Sequence, residues 1–264
     1  MRPHPQLEPD AAPPGARRLD RAGPVGVGAG GRPPGERPSG ADPGDDSAVA
    51  QRPPGEPQAL GWEEDLRRSR GCLLEAGGQV DDAFAAGRMP ILLAGDCSIS
   101  VATLPVVVRH RPEVRVLWLD AHADFNTPQT TSSGFLGGMC LAGACGLWET
   151  GFGAGLEPAR VIMHGVRDLD AGERVALDTS GVYRLEEPSQ LESMTLFVHV
   201  DLDILDPDYL PAAFPAPGGL SPEALNGLLT EVARVATVVG AQITSAAPGC
   251  GGMIAGAVAP LLGS

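Results

Sequence analysis

Apolar and polar residues alternate in blocks along the chain from about residue 60 onward. The blocks predict an ordered series of elements. Residues 62–86 read as a helix with Glu63, Glu64, Asp65, Arg67 and Arg68 on its early turns. The short apolar run 90–94 reads as a buried strand, and Ser98 as the cap of a helix reaching His110. Residues 114–119 form the next strand, and a Thr-, Ser- and Gly-rich loop occupies 125–138. Strands follow at 161–164 and 182–185, around a helix at 172–177. The run 195–200 is another strand. Ser221 caps a helix through Val235, with Pro222 suited to its first turn. A strand at 238–243 and a helix at 254–262 close the series. Strands alternating with helices predict a parallel sheet covered on both faces.

Residues 1–59 break this pattern. They hold half of the 26 prolines, interleaved with Gly, Arg, Asp and Ala, and show no hydrophobic periodicity. Such a segment buries too little apolar surface to offset its ordering entropy, so 1–59 is expected to be disordered, with one short strand at 25–28. The organisation expected is a Pro/Gly-rich 1–59 and a folded domain over 60–264.

Composition narrows the function classes. Hydrophobic content of 43% supports a true core, and 4% aromatics makes that core mainly aliphatic. A net charge of −14 argues against nucleic acid as a partner. Five cysteines without a CxxC pair read as free thiols in a reducing compartment, which places the protein in the cytoplasm. No signal-peptide apolar core opens the chain, and no unbroken apolar stretch is long enough for a membrane span.

The candidate chemistry lies in two segments, Asp120-Ala121-His122-Ala123-Asp124 and Asp201-Leu202-Asp203, each following an apolar run. In an extended strand residues two apart share a face, so Asp120, His122 and Asp124 would project together, as would Asp201 and Asp203. Four carboxylates around one imidazole repel one another unless a cation sits among them. Open α/β sheets place such groups at strand carboxyl ends.

Five motifs in order, AGDCS at 94–98, DAHADFNTP at 120–128, SGFLGGM at 133–139, GVRDLDAGE at 165–173 and VDLDILDP at 200–207, resemble the ureohydrolase (arginase and agmatinase) superfamily. Together with GACGLW at 143–148, they look most like its N-omega-hydroxy-L-arginine amidinohydrolase members. The resemblance implies a three-layer α/β/α fold and a centre of two Mn2+ ions. It implies that Asp120 and Asp201, taken as the catalytic pair, bridge the metals, that Asp124 and Cys97 serve one, and that His122 and Asp203 serve the other. Water activated there would attack a guanidinium carbon, releasing urea or a substituted urea and an amine. It also implies that Asn126, Thr131, Ser133 and Asp170 contact the amino-acid end of a small guanidino substrate, and that the chain forms homo-oligomers.

Five positions depart from the family pattern. Cys97 stands where arginases place a histidine ligand, which favours zinc or iron over manganese. Gly137 stands where they place a proton-shuttling histidine, and Phe135 replaces a polar loop residue. Ser245 aligns with a glutamate that pairs with the guanidinium, and Gln242 with an acidic residue. These departures leave two other readings open: a deacetylase-like hydrolase holding one metal through Asp120, His122 and Asp201 or Asp203, and a metal-binding member with impaired catalysis. Arg167 and Glu173 read as an ion pair or helix-end residues. Asp96 and Asp206 read as turn organisers.

Overall fold

The computed structural model describes residues 61–263. The expectations for 1–59, including the strand at 25–28, lie outside the described residues. Six helices and six strands follow in chain order: α1 Trp62–Ala85, β1 Ile91–Leu93, α2 Ser100–His110, β2 Arg115–Leu119, α3 Cys140–Ala144, β3 Val161–His164, α4 Ala171–Ser180, β4 Tyr183–Arg184, β5 Thr195–Asp201, α5 Pro222–Val235, β6 Thr237–Thr244 and α6 Gly251–Leu262. Ser221 caps α5 as expected, accepting from the Ala224 N–H at 3.1 Å. Ser98 does not cap α2. Asp96 accepts the Ser98 N–H at 2.8 Å and starts a 3-10 turn, Cys97–Ile99, from which α2 continues. The short α3 had no counterpart in the periodicity, because all five of its residues are buried and the stretch shows no polar face.

All strand pairs are parallel, in the order β1-β6-β5-β2-β3-β4. The strands are nearly continuous in apolar residues because both faces are covered. Along β2, Val116 and Trp118 face a core shared with Leu73 and Phe84 of α1 and Leu104 and Val107 of α2. Leu117 and Leu119 face a second core with Leu225, Leu229 and Val232 of α5 and Ile254 and Val258 of α6. The result is a three-layer α/β/α sandwich. From β2 the chain steps to β3 on one side, and from β5 to β6 on the other. The sheet order therefore reverses between β2 and β5, and a crevice opens beyond their carboxyl ends. No helix among the described residues is long and apolar enough to cross a membrane.

Candidate metal centre

The register of the central strands assembles the site. Leu119 pairs with Val200, so the next residues, Asp120 and Asp201, leave the sheet as neighbours. At the far edge, the Ala94 N–H reaches Ile243 O at 3.0 Å and the Ser245 N–H reaches Gly95 O at 3.2 Å. Those bonds bring the turn after β1 beside the end of β6 and bury Cys97 against the acids. Its Sγ lies 2.8 Å from Asp201 Oδ2, 3.9 Å from Asp120 Oδ2 and 3.2 Å from Thr244 Oγ1.

Two sets of metal-capable atoms result. Cys97, Asp120, His199 and Asp201 form a fully buried set, and Asp120, His122 and Asp203 form another. Asp120 belongs to both. In the second set, His122 Nδ1 lies 3.0 Å from Asp203 Oδ2 and 3.5 Å from Asp120 Oδ1. The expected route to this convergence needs correction. β2 ends at Leu119, so strand alternation does not carry Asp120, His122 and Asp124 to one face. Instead Asp120 Oδ1 accepts the His122 N–H at 2.7 Å, which curls the chain, and Asp124 sits at φ 50°. Asp124 falls in neither set. Its Oδ2 is 3.5 Å from Cys140 Sγ. Asp203 lies in a 3-10 turn, Leu202–Ile204. Its N–H bonds Asp201 Oδ1 at 2.8 Å, and its Oδ1 accepts the Ala121 N–H at 3.1 Å.

Crowding leaves its mark on the titration of these groups. Burial, then the nearby Asp203 charge, holds the Asp201 carboxyl above its ordinary range. Burial and Asp120 do the same to Asp203 and, more strongly, to Asp124. Burial and Asp201 push the Cys97 thiol well up. Burial opposes charge on His122, yet Asp120 and Asp203 override it and hold that imidazole up at about 11. Desolvated acids this close relax once cations sit among them, and oxygen-rich donors with one imidazole suit a hard divalent ion such as Mn2+. The set containing a thiol suits a softer ion as well. The side chains present therefore fit two cations that share Asp120.

The residues expected to bind substrate lie on the loop after β2 and at the start of α4. Asn126 Nδ2 donates to Asp170 Oδ2 at 3.1 Å, so these two do come together. Ser132 joins them, donating to Asp170 at 2.9 Å. Thr131 Oγ1 accepts the Gly134 N–H and Ser133 Oγ the Phe135 N–H, so both hold the loop's turns. Arg167 and Glu173 make no ion pair with each other. Arg167 donates instead to the carbonyls of Asp203, Gly165 and Ala216, and Glu173 accepts the Phe125 N–H at 2.8 Å. Asp206 organises its turn as expected, accepting from Asp208, Gly218 and Gly219 N–H groups. Ser245 donates to Asp201 Oδ2 at 2.6 Å, which commits its hydroxyl to a candidate metal ligand.

Sequence reasoning missed His199 and Thr244. His199 stands two residues before Asp201 on β5, so the period-2 pattern already placed both on one face. Thr244 Oγ1 donates to Asp201 Oδ2 at 3.1 Å, and no sequence signal marks it.

Comparisons with known proteins identify the family and the fold. The profile of the Arginase family matches residues 65–254. The N(omega)-hydroxy-L-arginine amidinohydrolase of Streptomyces lavendulae is 37% identical over 180 residues, covering 65% of this chain and 66% of that protein. The arginase of Bacillus caldovelox is 31% identical over 193 residues, covering 64% of each. The chain thus spans just under two thirds of the length of these relatives. The crystal structure of the Bacillus cereus arginase superposes with a TM-score of 0.67 at 26% identity, over 76% of this chain and 80% of that one.

Proposed function

The chain belongs to the arginase family, and within it we propose a metal-dependent amidinohydrolase acting on a linear guanidino or hydroxyguanidino amino acid. The observation that carries this reading is the pair of donor sets meeting at Asp120. Cys97, Asp201 and Asp120 would hold one cation, with Asp124 close by. Asp120, His122 and Asp203 would hold the other. When bound, the two cations would supply the Lewis acidity that makes water nucleophilic at neutral pH.

The chain's own residues supply position and exclusion. The Asp170 carboxylate, fixed by Asn126 and Ser132, offers a negative end for a substrate α-amino group. Phe135 and Phe214, 5.0 Å apart between centroids, stand beside His122 and place an apolar wall at the mouth. That wall limits water around the reacting carbon. With Gly137 and this wall in place, the mouth offers no side chain at 137 to protonate a leaving amine. Release of hydroxyurea expels the same alkyl amine as release of urea, so for either substrate class that amine's proton must come from water or another side chain. Free thiols at all five cysteines support a reducing cytoplasmic setting.

The test is release of urea and hydroxyurea from arginine, N-hydroxyarginine and agmatine by manganese-loaded protein, with metal counted in the same sample. Two metals and turnover of an amino-acid substrate is the expected result. One metal without urea or hydroxyurea release would favour the single-metal hydrolase reading. Two metals without turnover would mark a metal-binding member of the family whose catalysis is lost.

A further inference from the structure

Beneath the metal-capable side chains, one level deeper in the sheet, Trp118 and His199 form a cross-strand pair. Their rings stack with centroids 3.6 Å apart and both are fully buried. Each points a ring nitrogen towards the site. Trp118 Nε1 donates to Asp120 Oδ2 at 3.1 Å. His199 Nε2 lies 3.3 Å from Cys97 Sγ and 3.8 Å from Asp120 Oδ2. His199 thus has two possible roles: a metal ligand through a bare Nε2, or a donor through Nε2–H.

The opposite ring nitrogen decides between them, because an imidazole that donates from one nitrogen accepts at the other. Nδ1 of His199 faces Gln242 Nε2 at 2.7 Å. Gln242 is wholly buried and presents its amide nitrogen to the ring. Thr103 Oγ1 donates to Gln242 Oε1 at 2.8 Å, and Gln242 Nε2 also donates to Ser100 Oγ. The amide nitrogen therefore donates to Nδ1, and the ring hydrogen resides on Nε2. The groups facing Nε2 suit this arrangement. Asp120 Oδ2, 3.8 Å away, is an anionic neighbour beyond hydrogen-bond reach, and the Cys97 S–H is directed at Asp201, leaving a sulfur lone pair towards His199.

We propose that His199 is a positioning residue and not a metal ligand: locked by Gln242, it donates Nε2–H to the Cys97 sulfur. Metal-binding histidines show the reverse wiring, with the second ring nitrogen donating to an acceptor. Here the second nitrogen meets a donor. A hydrogen bond to a ligating sulfur draws electron density from it, which adapts a thiolate to a site otherwise made of carboxylates. The inference rests on the reading of Cys97 as a ligand, but the tautomer itself does not depend on metal.

The test is long-range 1H–15N correlation on the full chain labelled at histidine nitrogen, with His199 assigned by loss of its signals in His199→Phe. The spectrum is recorded metal-free and loaded with 113Cd. The expected result is hydrogen on Nε2 in both states and no cadmium coupling to His199. Hydrogen on Nδ1, or cadmium coupling at Nε2, would overturn the proposal. Gln242→Glu presents an acceptor to Nδ1 and should move the hydrogen there, with cadmium coupling appearing at Nε2. An unchanged tautomer in that variant would refute the lock. In cobalt-loaded protein, His199→Phe should shift the sulfur-to-metal charge-transfer band to lower energy, and an unmoved band would refute donation to the sulfur. If no cobalt band exists in the parent protein, Cys97 is not a ligand. The spectrum of the metal-free protein then still decides the tautomer, so the two readings fail separately.

Discussion

A Cβ built on Gly137 would lie 2.8 Å from Cζ of Phe135 and nearer still to Cε1, so the ring of Phe135 fills the space a side chain at 137 would need. The ring is held there by Phe214. Glycine at 137 and phenylalanine at 135 are therefore one packing solution. Gly137→Ala should cost about 1–3 kcal/mol through overpacking. Phe135→Ala made in the same chain should recover part of that loss. A double-mutant cycle by denaturant unfolding measures the coupling, and purely additive effects would contradict the packing account.

Glu173 is buried at the start of α4, and desolvation is the main reason its carboxyl is pushed up to about 7 from an ordinary 4.5. The folded state therefore binds a proton that the unfolded state has released between those values. Stability should fall as pH rises across that window, by about 3 kcal/mol for this group. Glu173→Gln keeps an acceptor for the Phe125 N–H and removes the titration. Unfolding of metal-free protein between pH 4.5 and 7 should show a smaller fall in the variant. Parallel curves for the two proteins would count against the prediction.

His122 works in the same direction at higher pH. Its folded value of about 11 lies above the ordinary 6.5. The stability it contributes to the metal-free protein is full below 6.5 and is lost as pH rises towards about 11. Metal loading should reverse this trend, because a cation competes with the proton for the imidazole. Melting temperature against pH, with and without metal, checks both signs.

Because Asp120 alone enters both donor sets, Asp120→Ala should abolish binding of both cations, whereas Asp203→Ala should spare the one held by Cys97 and Asp201. Metal counts after equilibrium dialysis should fall from two per chain to none and to one. Equal counts in the two variants would show that the sets do not share a ligand.

Arg167 stitches the second acidic loop by donating to the Asp203 and Ala216 carbonyls at 2.9 and 2.8 Å. Arg167→Ala leaves those carbonyls without their charged donor and should cost about 2 kcal/mol. It should also make residues 206–219 more open to limited proteolysis. Unchanged cleavage there would mean the loop holds its shape without Arg167.

Much of the fold was legible because local rules fix it. The strand at Val161–His164 and the helix Pro222–Val235 follow from short apolar runs and a Ser-Pro start. The acids of the two candidate donor sets stood out in the sequence too, though His199 did not, since acids placed just after buried strands are costly without a purpose. Their arrangement was not. Period-2 reasoning placed Asp124 beside Asp120 and His122, but β2 ends at Leu119 and the chain curls on side-chain hydrogen bonds that no periodicity encodes. Arg167 read as an ion-pair or helix-end residue because charge is visible in sequence, whereas the backbone carbonyls it serves are not.

By itself, then, the sequence determined which of the described strands exist, that they are apolar enough to be buried on both faces, and that Asp120, His122, Asp201 and Asp203 stand at or just after strand ends. Those follow from side-chain hydrophobicity and the fixed periods of helix and strand. Only the tertiary structure decided which strands are neighbours. Cys97 meets Asp201 across 104 residues of chain, and Gln242 meets His199 across 43. Those contacts arise because β6 lies between β1 and β5, and β5 between β6 and β2. Strand order is a property of how whole layers pack, and the alternation within any one strand carries no record of its neighbours.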